Sequence, residues 1–228
     1  MNTIFCSPKA VTLPIMDNDS VFPVRRVYCV GHNYADHIIE MNTPQHDKNI
    51  IFFQKNPDNL LLAGHNFPYP SLSQEVHFEV ELLVALQDGT SNIHIHDALD
   101  YVYGYGVAID FTRRDLQKTA KRLGHPWEAA KAFEKSAPVS ELVPASCIGY
   151  VEKGSIWLDV NGERKQDSDI ERMIVKTPEI IARLSELFIL APGDVILTGT
   201  PSGVGSVKRG DHITCGIEGV ATLSVEVV

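Results

Sequence analysis

The 228-residue chain lacks several features that would assign it quickly. Charge, Gly or Pro interrupts every apolar stretch well short of the roughly 18 residues of a membrane span, so a membrane-spanning helix is not expected. Its four cysteines, Cys6, Cys29, Cys147 and Cys215, are scattered without a CxxC pair. That excludes a zinc knuckle, a redox motif and a disulfide framework, and they read as reduced bystanders. Positive charge is scarce: 20 Lys and Arg against 29 Asp and Glu give a net charge of -9. A sequence-independent nucleic-acid binder needs a basic face to neutralise phosphates, and this balance argues against one. Met1 to Pro14 shows no charged segment followed by an apolar one, so a cytoplasmic protein without a targeting segment is expected. No repeat, low-complexity tract or Pro/Ser-rich linker divides the chain. The expectation is an N-terminal arm over 1–23 and one domain over 24–228, whose 44% hydrophobic residues suffice for a core.

What is present is mostly strand. Val76 to Leu86 alternates, with Val76, Phe78, Val80, Leu82, Val84 and Leu86 on one face and Glu79, Glu81 and Leu83 on the other. Ser155 to Val160, then Asn161-Gly162 and a polar run, predicts a hairpin. Asp194 to Thr198, His212 to Ile217 and Ala221 to Val228 predict further strands, with a turn at Glu218-Gly219. Helices are fewer. Thr112 and Asp115 read as a capping box and Gly124 with Pro126 as a stop, which predicts a helix over Arg113 to Leu123. Thr177-Pro178 reads as an N-cap and first turn for a helix to Ile189, and shorter helices are expected at Ala35 to Met41 and Asp97 to Tyr101. Without a regular βαβ alternation, the pattern is that of an α+β, mainly β fold.

Some residues stand out chemically. Glu79 and Glu81 share a strand face about 7 Å apart at the backbone, where two carboxylates repel unless a cation lies between them. Oxygen ligands without a partner Cys suit Mg²⁺, Mn²⁺ or Ca²⁺; the alternative is a strand with one wet face. Asp110 ends the apolar run Val107-Ala108-Ile109 and is either a third ligand or a turn residue. His37 and Glu40 lie three apart on a short helix, a general-base pair or an ordinary surface contact. The turn Thr198-Gly199-Thr200-Pro201-Ser202-Gly203 has neither the Lys of a phosphate-binding loop nor a following helix, but its N–H groups and the Thr200 hydroxyl can hold a carboxylate. Between Phe111 and Lys135, seven basic residues face three acidic ones, a stretch that either draws in an anionic small molecule or forms a solvated helix face.

Together CVGHNYADHIIEM, HFEVELLVAL, GYGVAIDFTRRDLQ, PWEAAKAFEKSAPV, IWLDVNGERKQ and APGDVILTGTPSGVG resemble the fumarylacetoacetate hydrolase family, in its shorter acylpyruvate hydrolase branch. The resemblance runs from about Val24 to the C-terminus. It implies a β-roll around a metal site, assembled as a homodimer. It implies Glu79, Glu81 and Asp110 as ligands of Mg²⁺ or Mn²⁺, with no organic cofactor. Catalytic roles fall on His37, Glu40 and Lys131, and substrate contacts on Gln117, Thr200, Gly199, His32 and Arg114. Many relatives carry Arg at the position of His32, so the substrate's acyl end is less defined than the reaction class. The implied reaction is hydrolysis of a carbon–carbon bond in a 2,4-diketo acid, 3-fumarylpyruvate to fumarate and pyruvate in gentisate-type aromatic degradation. Alternatives within the family are oxaloacetate decarboxylation or tautomerisation and isomerisation of a hydroxy-dienoate diacid. Outside catalysis, the chain would be a binding module that a divalent ion stabilises.

Overall fold

A computed structural model describes residues 3–6, 9–41 and 50–228, and it is an α+β, mainly β roll. A mixed eight-stranded sheet carries, in order, Ile51–Lys55, Arg26–Gly31, Asp194–Leu197, Val80–Leu86, Val102–Ile109, Ala137–Val139 and Leu60–Leu62, with Val143–Pro144 paired to the side of Val102–Ile109. A four-stranded antiparallel sheet, Glu163–Asp169, Ser155–Val160, His212–Ile217 and Ala221–Glu226, packs on one face. Its Ile156, Leu158, Ile213 and Cys215 meet Leu82, Val84 and Val107 in the larger core. The other face of the central strands, Leu83, Ala85 and Ala108, packs with Val27, Val195 and Leu197 in a second core. The central strands are thus buried on both faces, as near-continuous apolar runs require. Among the described residues no helix is long and apolar enough to cross a membrane.

Several elements differ from the sequence expectation. Val76 to Leu86 is not one strand: Val76–Phe78 joins Gly205–Val207 and Thr112–Arg113 in a three-stranded sheet, while Val80–Leu86 belongs to the large sheet. The break falls at Glu79. The Val80 N–H turns to the Gln166 side chain, while the Glu79 carbonyl accepts from Asp110 N at 2.8 Å. The helix Arg114–Leu123 has no capping box. Asp115 instead accepts from Ser73 Oγ (2.7 Å) and Gln74 N (2.9 Å) on the preceding segment, which ties the helix to the Val76 strand. Gly124 does close this helix in the left-handed region, at φ 66°. Thr177 is the first helical residue of Thr177–Leu187 rather than its cap; the cap position is Lys176, which makes no side-chain cap bond. The short helix near Asp97 is a 3₁₀ turn over Ala98–Tyr101. The two turns at Asn161-Gly162 and Glu218-Gly219 close hairpins as expected, with φ values of 53° and 81° across the first. Of the N-terminal arm, residues 1, 2, 7 and 8 lie outside the described residues. Thr12–Ile15 and Asn18–Pro23 form a hairpin that buries Leu13, Ile15 and Phe22 in the second core.

Candidate active site

The register of two strands assembles the acidic cluster. Val80 pairs with Ile109 and Glu81 with Ala108, so Asp110 falls opposite Glu79 and diagonal to Glu81 on the same face. The wet-face alternative is excluded, since Glu79, Glu81 and Asp110 are 4%, 2% and 0% exposed. One oxygen from each lies within 4.8 Å of the others. Cations surround them. Lys131 Nζ, from the short helix Glu128–Lys131, donates to Glu79 Oε2 and Asp110 Oδ2, each at 2.6 Å. Arg114 pairs with Glu79 Oε1 and donates to Gln117 Oε1 at 2.6 Å, one helical turn on. Lys55 ion-pairs with Asp110 Oδ1 at 2.8 Å.

Burial opposes ionisation of Glu79, but the Lys131 ammonium and the Arg114 guanidinium outweigh it and hold its pKa well below the usual carboxylate range. Glu81 goes the other way: burial and the nearby Asp110 charge push it well above that range, against the Lys131 ammonium and the Gly199 N–H that donates to its Oε2 at 2.7 Å. A third buried carboxylate in this condition is stabilised by a hard divalent cation, and three converging carboxylate oxygens are a donor set for Mg²⁺ or Mn²⁺. The residues present therefore fit such an ion.

His37 lies on the wall of the same cavity, with Glu40 bonded behind it. His37, 7% exposed on the helix Ala35–Glu40, has Nδ1 at 3.1 Å from Glu40 Oε2, and Gly203 N donates to Glu40 Oε1 at 3.0 Å. Burial raises the Glu40 pKa, and the His37 and Gly203 hydrogen bonds more than reverse it, so the carboxylate is ionised at neutral pH. With Nδ1 engaged, Nε2 is the ring nitrogen left for a reacting group. His32, His37, Glu79, Glu81, Asp110, Arg114, Gln117, Lys131 and Thr200 all line one cavity of about 30 Å³. Lys121 and Trp127 line it too, with Lys121 Nζ 4.9 Å from the indole centre. Phe53, Trp127 and Lys131 also line a neighbouring groove of about 420 Å³.

The chain matches the fumarylacetoacetate (FAA) hydrolase C-terminal family over residues 26–228. It belongs to the fumarylacetoacetate hydrolase family. Within this family it is 41% identical to a fumarylpyruvate hydrolase of Ralstonia sp over 78% of this chain and 92% of that one. It is 38% identical to human mitochondrial oxaloacetate tautomerase FAHD1 over 89% and 91% of the two chains. The crystal structure of fumarylpyruvate hydrolase from Pseudomonas aeruginosa in complex with Mn²⁺ and pyruvate superposes with a TM-score of 0.97 at 43% identity, covering 100% of this chain and 99% of that one.

For this family member the structure gathers His32, His37, Glu79, Glu81, Asp110, Arg114, Gln117, Lys131 and Thr200 on one cavity, with Glu40 and Gly199 each one hydrogen bond behind it, and in two cases the partner differs from the expected one. Gly199 directs its N–H at Glu81 rather than at open cavity, and Arg114 is committed to Glu79 and Gln117. The basic stretch divides: Arg114, Lys121 and Lys131 face the cavity, whereas Lys118 bonds Glu75 at 3.0 Å on the outside and Arg113 stacks 4.2 Å from the Phe133 ring centre. Sequence reading missed Lys55 and Gln166. Lys55 ends the strand IFFQK and looks like a solvent-facing terminus, yet its ammonium is buried and also donates to Ser136 Oγ at 2.9 Å. Gln166 hides in the polar run ERKQDSD, but the hairpin register places it opposite Leu158, an inward position of its partner strand.

Proposed function

We propose that this chain is a divalent-metal-dependent acylpyruvate hydrolase that cleaves 3-fumarylpyruvate to fumarate and pyruvate. The observation that carries the reading is the buried Glu79, Glu81 and Asp110 cluster sharing one cavity with Lys131 and the His37–Glu40 pair. Three cations, Lys55, Arg114 and Lys131, ion-pair with Glu79 and Asp110 beside the third carboxylate, Glu81. Formal charge is then already balanced, and a divalent ion makes the site a receptor for an anionic ligand such as a 2-oxo acid. The pyruvate complex of the Pseudomonas relative supports the same choice.

When bound at the three carboxylates, Mg²⁺ or Mn²⁺ supplies Lewis-acid polarisation of the 2-oxo acid end, an effect worth several kcal/mol. The chain's own groups do the rest. His37, oriented by Glu40, takes a proton from the water that attacks the 4-carbonyl, and Glu40 then stabilises the imidazolium. The bond between C3 and C4 breaks with its electron pair going to C3 as the pyruvate enolate. Lys131 holds positive charge beside that developing negative charge, and the Gln117 amide and Thr200 hydroxyl offer donors. Return of a proton to C3 completes pyruvate. Lys121 and His32 on the cavity wall are the groups this reading assigns to the distal carboxylate of the fumaryl group. Homodimeric assembly is part of the same reading, and sedimentation velocity checks it.

The similarity to oxaloacetate tautomerase over 89% of this chain favours a second reading, proton transfer at the carbon beside the same 2-oxo group. Such a reaction needs no attacking water. Fumarylpyruvate, acetylpyruvate and oxaloacetate assayed with Mg²⁺, Mn²⁺ or chelator separate the two. Hydrolysis that disappears in His37→Ala while oxaloacetate turnover persists supports the hydrolase; turnover of oxaloacetate alone by the unaltered protein overturns it.

A further inference from the structure

Gln166 is fully buried on the strand Glu163–Asp169, whose neighbouring residues Arg164, Lys165 and Asp167 are exposed. It does not line the cavity. A buried amide has to satisfy two donors and a carbonyl oxygen, and this one does so with three partners. Oε1 accepts from Val80 N at 3.0 Å, and Nε2 donates to Thr200 Oγ1 at 2.8 Å and to the Pro201 carbonyl at 2.9 Å. A backbone N–H can only donate and a backbone carbonyl can only accept, so the two backbone partners fix which end of the amide is oxygen.

Two consequences meet at the site. Val80 is the residue between Glu79 and Glu81, so one side chain ties the carboxylate-bearing strand to the 199–203 turn. That turn also donates from Gly199 N to Glu81 and from Gly203 N to Glu40. Packing behind it is tight, because a Cβ at Gly203 would come within 2.0 Å of the Lys165 carbonyl. The second consequence concerns hydrogen direction. Since the Thr200 oxygen accepts from Gln166, its own hydrogen is left for a different acceptor, and Thr200 lines the cavity.

We propose that Gln166 is a positioning residue that makes the Thr200 hydroxyl a hydrogen-bond donor toward a bound 2-oxo acid. The inference rests on the substrate class proposed above. Its test is calorimetric binding of pyruvate to the Mn²⁺-loaded protein, with a thermal melt of every variant. Gln166→Glu keeps the acceptor for Val80 N–H but draws the Thr200 hydrogen to itself. Gln166→Met removes both roles without adding charge. Each is expected to weaken pyruvate about tenfold or more, the worth of one hydrogen bond to a charged group. Thr200→Val should weaken it similarly, Thr200→Ser should not, and in the Thr200→Val background neither Gln166 change should cost more. Pyruvate affinity that falls equally in both backgrounds makes Gln166 a packing residue only and overturns the proposal. Indifference of pyruvate binding to Thr200→Val overturns it as well, even if every Gln166 variant fails to fold. Absence of pyruvate binding by the unaltered protein overturns the substrate class along with it.

Discussion

At the residue scale the site is a contest between burial and charge. Glu79 is held as an anion by Lys131 and Arg114, whereas at Glu81 burial and the Asp110 charge outweigh the Lys131 ammonium and the Gly199 N–H, and that asymmetry makes the cluster responsive to an added cation. In the proposed metal site, Glu79→Gln or Asp110→Asn removes an anionic ligand. Each should lower turnover roughly a thousandfold, the scale of a lost Lewis-acid contribution of several kcal/mol. Mn²⁺ titration should show the accompanying loss of affinity, and unchanged affinity in both variants would remove these residues from the ligand set. For the proposed base pair, His37→Ala and Glu40→Gln should each cost about 10² to 10⁴ in hydrolysis with metal binding intact, and the double variant little more than the worse single one. Glu40 adds a pH signature. Its folded pKa lies below the ordinary value, so its contribution to stability is fully present above the unfolded value and fades as pH falls through the folded one. The stability difference between Glu40→Gln and the unaltered protein should therefore be present at pH 7 and vanish under strongly acid conditions; a difference that persists there would assign it to packing.

At the scale of elements, the helix Arg114–Leu123 matters because its first turn supplies Arg114 and Gln117 to the cavity. What places that turn is Asp115, which accepts from Ser73 Oγ and Gln74 N on the segment leading into Val76–Phe78. Burial disfavours the Asp115 charge, and these donors together more than compensate, so its pKa is lowered. Replacing it by Asn should cost about 1 kcal/mol at neutral pH, the usual worth of such bonds at a helix start. Because the folded pKa is the lower one, that cost should shrink as the medium is acidified through the carboxylate range, and urea unfolding at both pH values reads it directly. The helix itself was legible in the sequence, since Gly124 stops it in the left-handed region. Its start was not: Thr112 and Asp115 have capping-box spacing, but the acid finds better donors 41 and 42 positions earlier in the chain. The break at Glu79 escaped for the same kind of reason. Unbroken alternation describes where side chains point, and only the distant Gln166 reveals that the Val80 N–H leaves the ladder.

For the molecule as a whole, strands and turns were read well where the signal was local, as at Ser155–Val160 and His212–Ile217. Glu79, Glu81 and Asp110 stood out as candidates because period-two spacing and a strand end survive in one dimension, while the spacing alone left a wet strand face and a turn residue open and the family resemblance supplied the ligand set. Lys55 and Gln166 were not, since a buried polar residue at a strand end or in a charged run differs from an exposed one only through its distant partners. The same two-layer packing makes a prediction about the cysteines. Cys29 lies in the second core and Cys215 in the larger one, and both are fully buried, while Cys6 and Cys147 are exposed. Burial pushes both buried thiols well above their ordinary pKa, so neither accessibility nor thiolate content permits reaction while the roll is closed. A chromogenic disulfide reagent at pH 8 should therefore count two fast thiols in the native protein and four after denaturation. Because the two slow cysteines sit in different cores, the order in which they become labelled reports cooperativity. If the roll opens as one unit, Cys29 and Cys215 should share one labelling rate with one urea dependence. Leu82→Ala in the larger core, expected to cost about 2–5 kcal/mol, should then accelerate both equally. Acceleration of Cys215 alone would show instead that the four-stranded sheet opens independently of the strands that carry Glu79, Glu81 and Asp110.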